Sequence, residues 1–185
     1  MAKLYFKYGT MGSSKTAQAL MTKFNYEQNG MKVLLLKPAV AIRDENKVKS
    51  RIGLESDCNL ISPKDYLNIS DLSNYNVIIV DEAQFLTETQ VDDLRIAVDT
   101  LNIPVFCYGL RTNFQTHLFE GSRRLFEIAD SIEDIKNICS CGNKAIFNAR
   151  VDENGKLIDI GDPIEKEVFK YVPVCSSCYR KMKEG

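Results

Sequence analysis

The stretch Tyr8-Gly9-Thr10-Met11-Gly12-Ser13-Ser14-Lys15-Thr16 constrains the chain most, because the segments on either side of it have different periodicities. Leu4, Tyr5, Phe6 and Tyr8 give the preceding segment β character, whereas Ala17, Leu20, Met21 and Phe24 recur at helical spacing up to Asn29. A turn joining a strand to a helix fits this pattern whether or not it binds anything. The residue types go further: backbone N–H groups from Gly9, Thr10, Met11, Gly12, Ser13 and Ser14, with the positive end of the helix dipole, suit a polyphosphate. Lys15 would reach the outer phosphates, and the Thr16 hydroxyl would hold magnesium. Gly9, Lys15 and Thr16 keep the usual spacing of a phosphate-binding loop, but Ser14 stands where its second glycine belongs. A side chain there narrows the room for phosphates and strains the backbone if φ is positive, and Gly12 restores part of that freedom.

Val77-Ile78-Ile79-Val80-Asp81-Glu82-Ala83-Gln84-Phe85 is the second informative stretch. Four consecutive apolar residues predict a central strand covered on both faces. Asp81 and Glu82 then emerge at the carboxyl edge of the sheet, where an open α/β fold also places the phosphate loop. Alone, the pair would also serve as a helix N-cap. After a phosphate loop it predicts a magnesium-site carboxylate, Asp81, beside a catalytic partner, Glu82.

The remaining order is that of an α/β protein. Asn29-Gly30 closes the first helix, and the apolar run Lys32 to Lys37, ended by Pro38, completes a strand–helix–strand unit, hence a parallel sheet with right-handed crossovers. Residues 39–62 read as a long polar connection, either a solvated loop or a segment that covers the site. Thr87 to Leu101 reads as a helix, Ile103 to Gly109 as a buried strand, and Phe119 to Asp130 as a helix. Gly109-Leu110-Arg111-Thr112-Asn113-Phe114-Gln115 leaves that strand at the same ligand edge, where the Phe114 ring is placed either to pack in the core or to stack on a flat ligand. Cys58 and Cys107 read as small core residues, and His117 has no evident partner.

With 185 residues the chain is long enough for one well-buried domain and an appendage. No apolar run approaches the roughly 20 residues needed to span a bilayer, so a cytoplasmic protein with no membrane partner is expected. A net charge of −1, with Arg123-Arg124 and Tyr179 to Lys183 as the only compact basic groups, argues against nucleic acid as a partner. Cytosolic thiols are normally reduced, so the cluster Cys139, Cys141, Cys175 and Cys178 predicts a closed, structural zinc site rather than disulfides. Between the pairs, Ala145 to Val151 and Phe169 to Val172 read as strands joined by a loop over residues 152–168. The expected fold is therefore α/β, a P-loop NTPase-like parallel sheet with helices on both faces over residues 1–138. Residues 139–185 form a small zinc-binding domain carrying a loop.

Phosphate loop, Asp-Glu strand and α/β order together indicate nucleoside triphosphate chemistry. ATP is favoured over GTP, since Asn46-Lys47-Val48-Lys49 and Asn143-Lys144-Ala145-Ile146 both lack the aspartate of a guanine-selecting motif. Taken in order, Gly9 to Thr16, Asp81 to Phe85, Tyr108 to Phe114, Cys139-Ser140-Cys141-Gly142 and Cys175-Ser176-Ser177-Cys178-Tyr179 resemble the zinc-containing, type II thymidine kinase family over nearly the whole chain. The resemblance implies transfer of the ATP γ-phosphate to the 5′-hydroxyl of thymidine or deoxyuridine, with Glu82 as general base and Lys15 and Arg43 acting on the phosphates. It implies a nucleoside pocket of Met11, Leu110, Phe114 and Asn148, enclosed by a lasso loop containing Ile160, Gly161 and Tyr171. It also implies Mg2+ and Zn2+ as cofactors, a homotetramer and feedback inhibition by dTTP.

Three features depart from the family pattern: Ser14, Ala41 where an aspartate is usual, and a longer lasso between Gly161 and Tyr171. Two other readings follow from the same residues: a zinc-ribbon ATPase that binds nucleic acid, and a weakly active nucleoside-binding variant of the kinase scaffold.

Overall fold

The computed structural model describes residues 1–39, 46–162 and 169–184. In chain order its elements are β1 (Leu4–Tyr8), α1 (Lys15–Gln28), β2 (Val33–Pro38), β3 (Lys47–Lys49), β4 (Glu55–Asp57), β5 (Asn59–Ile61), α2 (Ile69–Leu72) and β6 (Val77–Val80). A 3-10 turn (Ala83–Phe85) then leads into α3 (Glu88–Leu101), β7 (Val105–Gly109), α4 (Glu120–Ile128), β8 (Ser131–Asp134), β9 (Phe147–Val151), β10 (Lys170–Val174) and α5 (Ser176–Glu184).

Six strands form one parallel sheet in the order β5-β2-β6-β7-β1-β8. All four residues of β6 are fully buried, as an apolar run without alternation requires. Ile78 and Val80 join one core with Leu4, Phe6, Leu34 and Leu36, against Leu94 of α3 and Leu125 of α4. Val77 and Ile79 face the opposite core with Leu35 and Tyr108, against Ala19 and Leu20 of α1. Each fully covered apolar side chain of this kind is worth ~1.5–3 kcal/mol relative to exposure. Helix α3 starts at a capping box, Thr87 accepting from the Gln90 backbone and the Gln90 side chain accepting from the Thr87 N–H.

Two stretches differ from the sequence expectation. The polar connection contains an antiparallel hairpin, β3 paired with β4, and then the edge strand β5. Hairpin strands of three residues, each with one inward side chain, are too short for alternation to register; Val48, 2% exposed, is the inward residue of β3. Ser131–Asp134, which no sequence pattern marked as a strand, adds a sixth one, pairing with β1 from Tyr5↔Ser131 to Tyr8↔Asp134. Being an edge strand with two exposed residues, Ile132 and Glu133, it lacks the apolar signature of β6.

β9 and β10 form a separate antiparallel pair. Their core consists of Cys139, Ala145, Ala149, Val151, Val174, Cys175 and Tyr179. Helix α5 starts directly after Cys175 and carries Cys178, and it was not anticipated from the sequence.

Candidate functional site

The parallel sheet puts the carboxyl ends of β1, β6 and β7 side by side, with β7 between the other two. The Gly9 N–H donates to the Gly109 carbonyl at 3.2 Å, which starts the phosphate loop against the end of β7. A β-carbon on Gly9 would lie 2.7 Å from the Ile135 carbonyl and collide with Ser13 Oγ, so the loop closes this tightly only with glycine there. Ser14 adopts φ 67 and ψ 17, the left-handed conformation in which its side chain strains the backbone. A serine held there costs about 1–2 kcal/mol relative to glycine.

Lys15 is buried, and its ammonium donates to the Thr10 carbonyl at 2.7 Å and to Ser13 Oγ at 3.3 Å. Burial holds its pKa below the usual lysine range, against the opposing charges of Glu82 and Asp81. The Thr16 hydroxyl donates to both Asp81 oxygens, at 3.1 and 3.3 Å, bridging the start of α1 and the end of β6. Burial, with the Glu82 charge next in weight, pushes the Asp81 carboxyl up to about 7. A buried carboxylate and a hydroxyl side by side are hard oxygen donors of the type that magnesium takes together with substrate phosphates.

Glu82 has φ 54, again left-handed for a residue with a side chain. The surroundings fix it there. Gln84 Nε2 donates to Glu82 Oε2 at 2.5 Å, while Gln84 Oε1 accepts from the Leu110 N–H at 3.0 Å. Gln84 is 2% exposed and thus locks the carboxylate to the loop leaving β7. A β-carbon on Gly109 would lie 2.8 Å from Gln84 Oε1, so this glycine makes room for that bridge. Backbone strain of about 1–3 kcal/mol at such a point persists only when neighbours over-determine it.

Met11, Lys15, Thr16, Glu82 and Leu110 share one cleft of about 290 Å³. Phe114, Ile160, Gly161 and Tyr171 do not line it. The Phe114 ring is 2% exposed and carries the Arg150 guanidinium 3.8 Å from its centroid. Arg150 also stacks on Phe169 at 4.2 Å and donates to the carbonyls of Ile160 and Asp162. Tyr171 lies opposite Arg150 in the β9–β10 pair. Asn148 accepts from the Met11 N–H at 2.7 Å, so its side chain holds the phosphate loop. Arg43 and Ala41 lie outside the described residues.

Asn137 is a second link that sequence reasoning missed. Its amide donates to Thr10 Oγ1 at 3.0 Å and to the Met11 carbonyl at 2.9 Å. Its place two residues before Cys139 was the available signal. Gln84 was legible only as part of its motif, and Arg150 had no signal at all.

The four cysteine sulfurs of Cys139, Cys141, Cys175 and Cys178 lie within 4.8 Å of one another, and Cys141 Sγ is 3.6 Å from Cys175 Sγ. A tetrahedron of sulfurs around zinc, with Zn–S about 2.3 Å, has edges of ~3.8 Å, so the donor set and spacing fit that ion. The Cys141 and Cys175 backbone N–H groups hold the Cys139 thiol down at about 6, while hydrogen bonds to the other three sulfurs push the Cys178 thiol up to about 12, as close sulfurs share one charge. Cys58 and Cys107 are buried elsewhere, as expected of core residues, and burial drives the Cys107 thiol well above its usual range.

The basic pair in α4 is neutralised. Arg123 meets Glu88 at 3.2 Å, and Arg124 meets Asp92 at 2.7 Å and Glu127 at 2.9 Å. Among the described residues no helix is long and apolar enough to cross a membrane.

A family profile described as thymidine kinase matches residues 2–179. The chain is 43% identical to a thymidine kinase of Francisella tularensis subsp. holarctica (strain LVS), over all of this chain and 98% of that one. It is 45% identical to a thymidine kinase of Zymomonas mobilis subsp. mobilis, over 89% of each chain. Among solved structures, the Pif1 helicase from Candida albicans aligns at 12% identity and a TM-score of 0.42, over 74% of this chain and 36% of that one.

Proposed function

The chain belongs to the thymidine kinase family and is a thymidine kinase, and on that premise we propose that it transfers the γ-phosphoryl group of ATP to the 5′-hydroxyl of thymidine and of deoxyuridine. The observation that carries this reading is the pairing of the buried Asp81 with Thr16, which lines a cleft together with Lys15 and Glu82. The nucleoside 5′-oxygen attacks the γ-phosphorus, and the bond from that phosphorus to the β,γ-bridging oxygen breaks. ADP leaves with that oxygen, the hydroxyl proton passes to Glu82, and dTMP or dUMP is formed. Lys15 stabilises negative charge on the moving phosphoryl group, where most catalysis of such transfers lies. Thr16 and Asp81 would hold magnesium, which supplies charge neutralisation on the donor phosphates.

The same proposal includes zinc at the four cysteines as a structural clamp, with residues 1–138 as the donor domain and 139–185 as the nucleoside-enclosing one. Met11, Leu110 and Phe114 would face the nucleoside, with Asn148 nearby and the lasso at Ile160, Gly161 and Tyr171 closing over it. Arg43 is kept as a phosphate residue. A homotetramer, dTTP inhibition and a cytoplasmic location complete the reading. The nucleic-acid ATPase reading loses ground, because both arginines of its main basic group are already paired with carboxylates.

Coupled ADP release across the four deoxynucleosides, with ATP and then GTP as donor, tests the proposal. Thymidine-dependent release with ATP is expected. Release that ignores thymidine but responds to DNA would overturn it, and thymidine binding without release would mark a weakly active variant.

A further inference from the structure

The β3–β4 hairpin has no part in the chemistry above, yet its turn stands over the phosphate loop. The turn is well defined: the Gly53 N–H donates to the Ser50 carbonyl at 3.2 Å, the Ser50 N–H to the Leu54 carbonyl at 2.8 Å, and the Leu54 N–H to Ser50 Oγ at 3.0 Å. Its base is anchored by Val48, buried in the core that α1 covers. The tip is not buried; Arg51 and Ile52 are exposed. That anchoring aims Arg51 at the loop. A β-carbon on Gly12 would lie 3.8 Å from Arg51 Nη1, and Arg51 lines the same cleft as Lys15, Thr16 and Glu82. Its charge also acts on Lys15, adding to the effect of burial on that ammonium.

Among the described residues, three cations, Lys15, Lys49 and Arg51, line the cleft against one carboxylate, Glu82, an excess of positive charge that suits an anion. The other hairpin cation with an ion pair, Lys47, is already engaged with Glu55 at 3.4 Å. Among the described residues, no carboxylate lies within ion-pair reach of Arg51. A guanidinium suits phosphate better than an ammonium does, because its planar fork makes paired, charge-assisted hydrogen bonds to two oxygens. We propose that Arg51 is a donor-binding residue, clamping the polyphosphate of the bound nucleoside triphosphate from the hairpin side while Lys15 and the loop amides hold it from below. The assignment rests on the phosphate-donor reading of the cleft and adds a specific residue to it. It gives the polar connection before β5 a role: the hairpin is the upper jaw of the donor site.

The test is calorimetric titration of the purified protein with Mg-ATP and, separately, with thymidine, alongside steady-state kinetics. Arg51→Ala should weaken ATP binding and raise the KM for ATP by roughly 10- to 100-fold, with thymidine affinity and Tm unchanged. Arg51→Lys should recover part of the loss, and Lys47→Ala should bind ATP as the parent does. The ATP affinity of Arg51→Ala should also fall less steeply with added salt, since one phosphate contact is gone. ATP affinity within twofold of the parent, or equal losses of ATP and thymidine affinity with a lowered Tm, would overturn the assignment. If the parent itself bound no ATP, the kinase reading would fail instead, which separates the two outcomes.

Discussion

The parallel sheet and the four-cysteine unit face the same demand, to hold functional loops still, and meet it differently. Among the described residues, eighteen buried side chains on one face of the sheet and nine on the other hold its hydrogen-bonded strands in place through apolar burial. The C-terminal unit has seven, two of them alanines and two cysteines. A unit of this size sits near the ~40-residue limit below which metals or disulfides usually replace a sufficient core. The sheet can therefore position Asp81 and Glu82 through its own core, whereas β9 and β10 would need the zinc proposed at the four cysteines. The two regions meet at the phosphate loop, where Asn148 of β9 reaches across to the Met11 N–H and Asn137, two residues before the first cysteine, holds Thr10 and the Met11 carbonyl. A loop that looks like part of the sheet region is thus held in part by the cysteine unit.

Substitutions at the two ends of this arrangement should behave differently. Glu82→Gln leaves the sheet intact and removes the proposed base, so turnover should fall about 10²- to 10⁴-fold with Tm nearly unchanged. Near-parent turnover in a steady-state assay would take Glu82 out of that role. Cys175→Ser should release zinc, measured by metal analysis, and lower thymidine affinity through loss of the lasso. It should also lower ATP affinity, because the asparagine links go with it. A loss confined to thymidine would show that the two regions are independent.

Much of this was legible in the chain because it rests on local rules. Four consecutive apolar residues ending in Asp81-Glu82 define a central strand and its edge without reference to anything distant. Close cysteine spacing identifies metal ligands in the same way. A left-handed φ at Ser14 was raised as a condition by its place in the loop, and the structure shows it. By contrast, Asn148 contacts Met11 across 137 positions and Arg150 covers Phe114 across 36, and no periodicity encodes such pairs. The hairpin and β8 were missed for another reason: short edge elements bury too few side chains to leave a pattern.

Smaller effects sharpen the comparison further. Asn148→Ala strips the Met11 N–H of its partner, which should cost about 1–3 kcal/mol, read in ATP affinity and in Tm. No change in either would make that hydrogen bond incidental.

The Asp81 carboxyl gives a pH signature on the sheet side. Its pKa is raised to about 7 in the folded protein, against ~3.9 unfolded, so the folded state binds more protons between these values. Its contribution to stability is therefore most favourable near pH 4 and is lost as pH rises through 7. Without magnesium, Tm should fall across that window more in the parent than in Asp81→Asn; identical profiles would contradict the shift.

Ser14→Gly should have the least effect. Relief of the left-handed serine, set against the greater freedom of unfolded glycine, leaves a net gain below about 1 kcal/mol, seen as a small rise in Tm. A fall in Tm would mean that the serine side chain contributes something the backbone cost conceals.

The dependence of the phosphate loop on the cysteine unit is most directly measured by amide hydrogen exchange at Met11, with zinc bound and after its removal by a chelator. Exchange at Met11 should accelerate at least about tenfold on zinc loss, while the buried strand amides of β1 and β6 keep their protection. Unchanged protection at Met11 once zinc is shown to be gone would contradict the account.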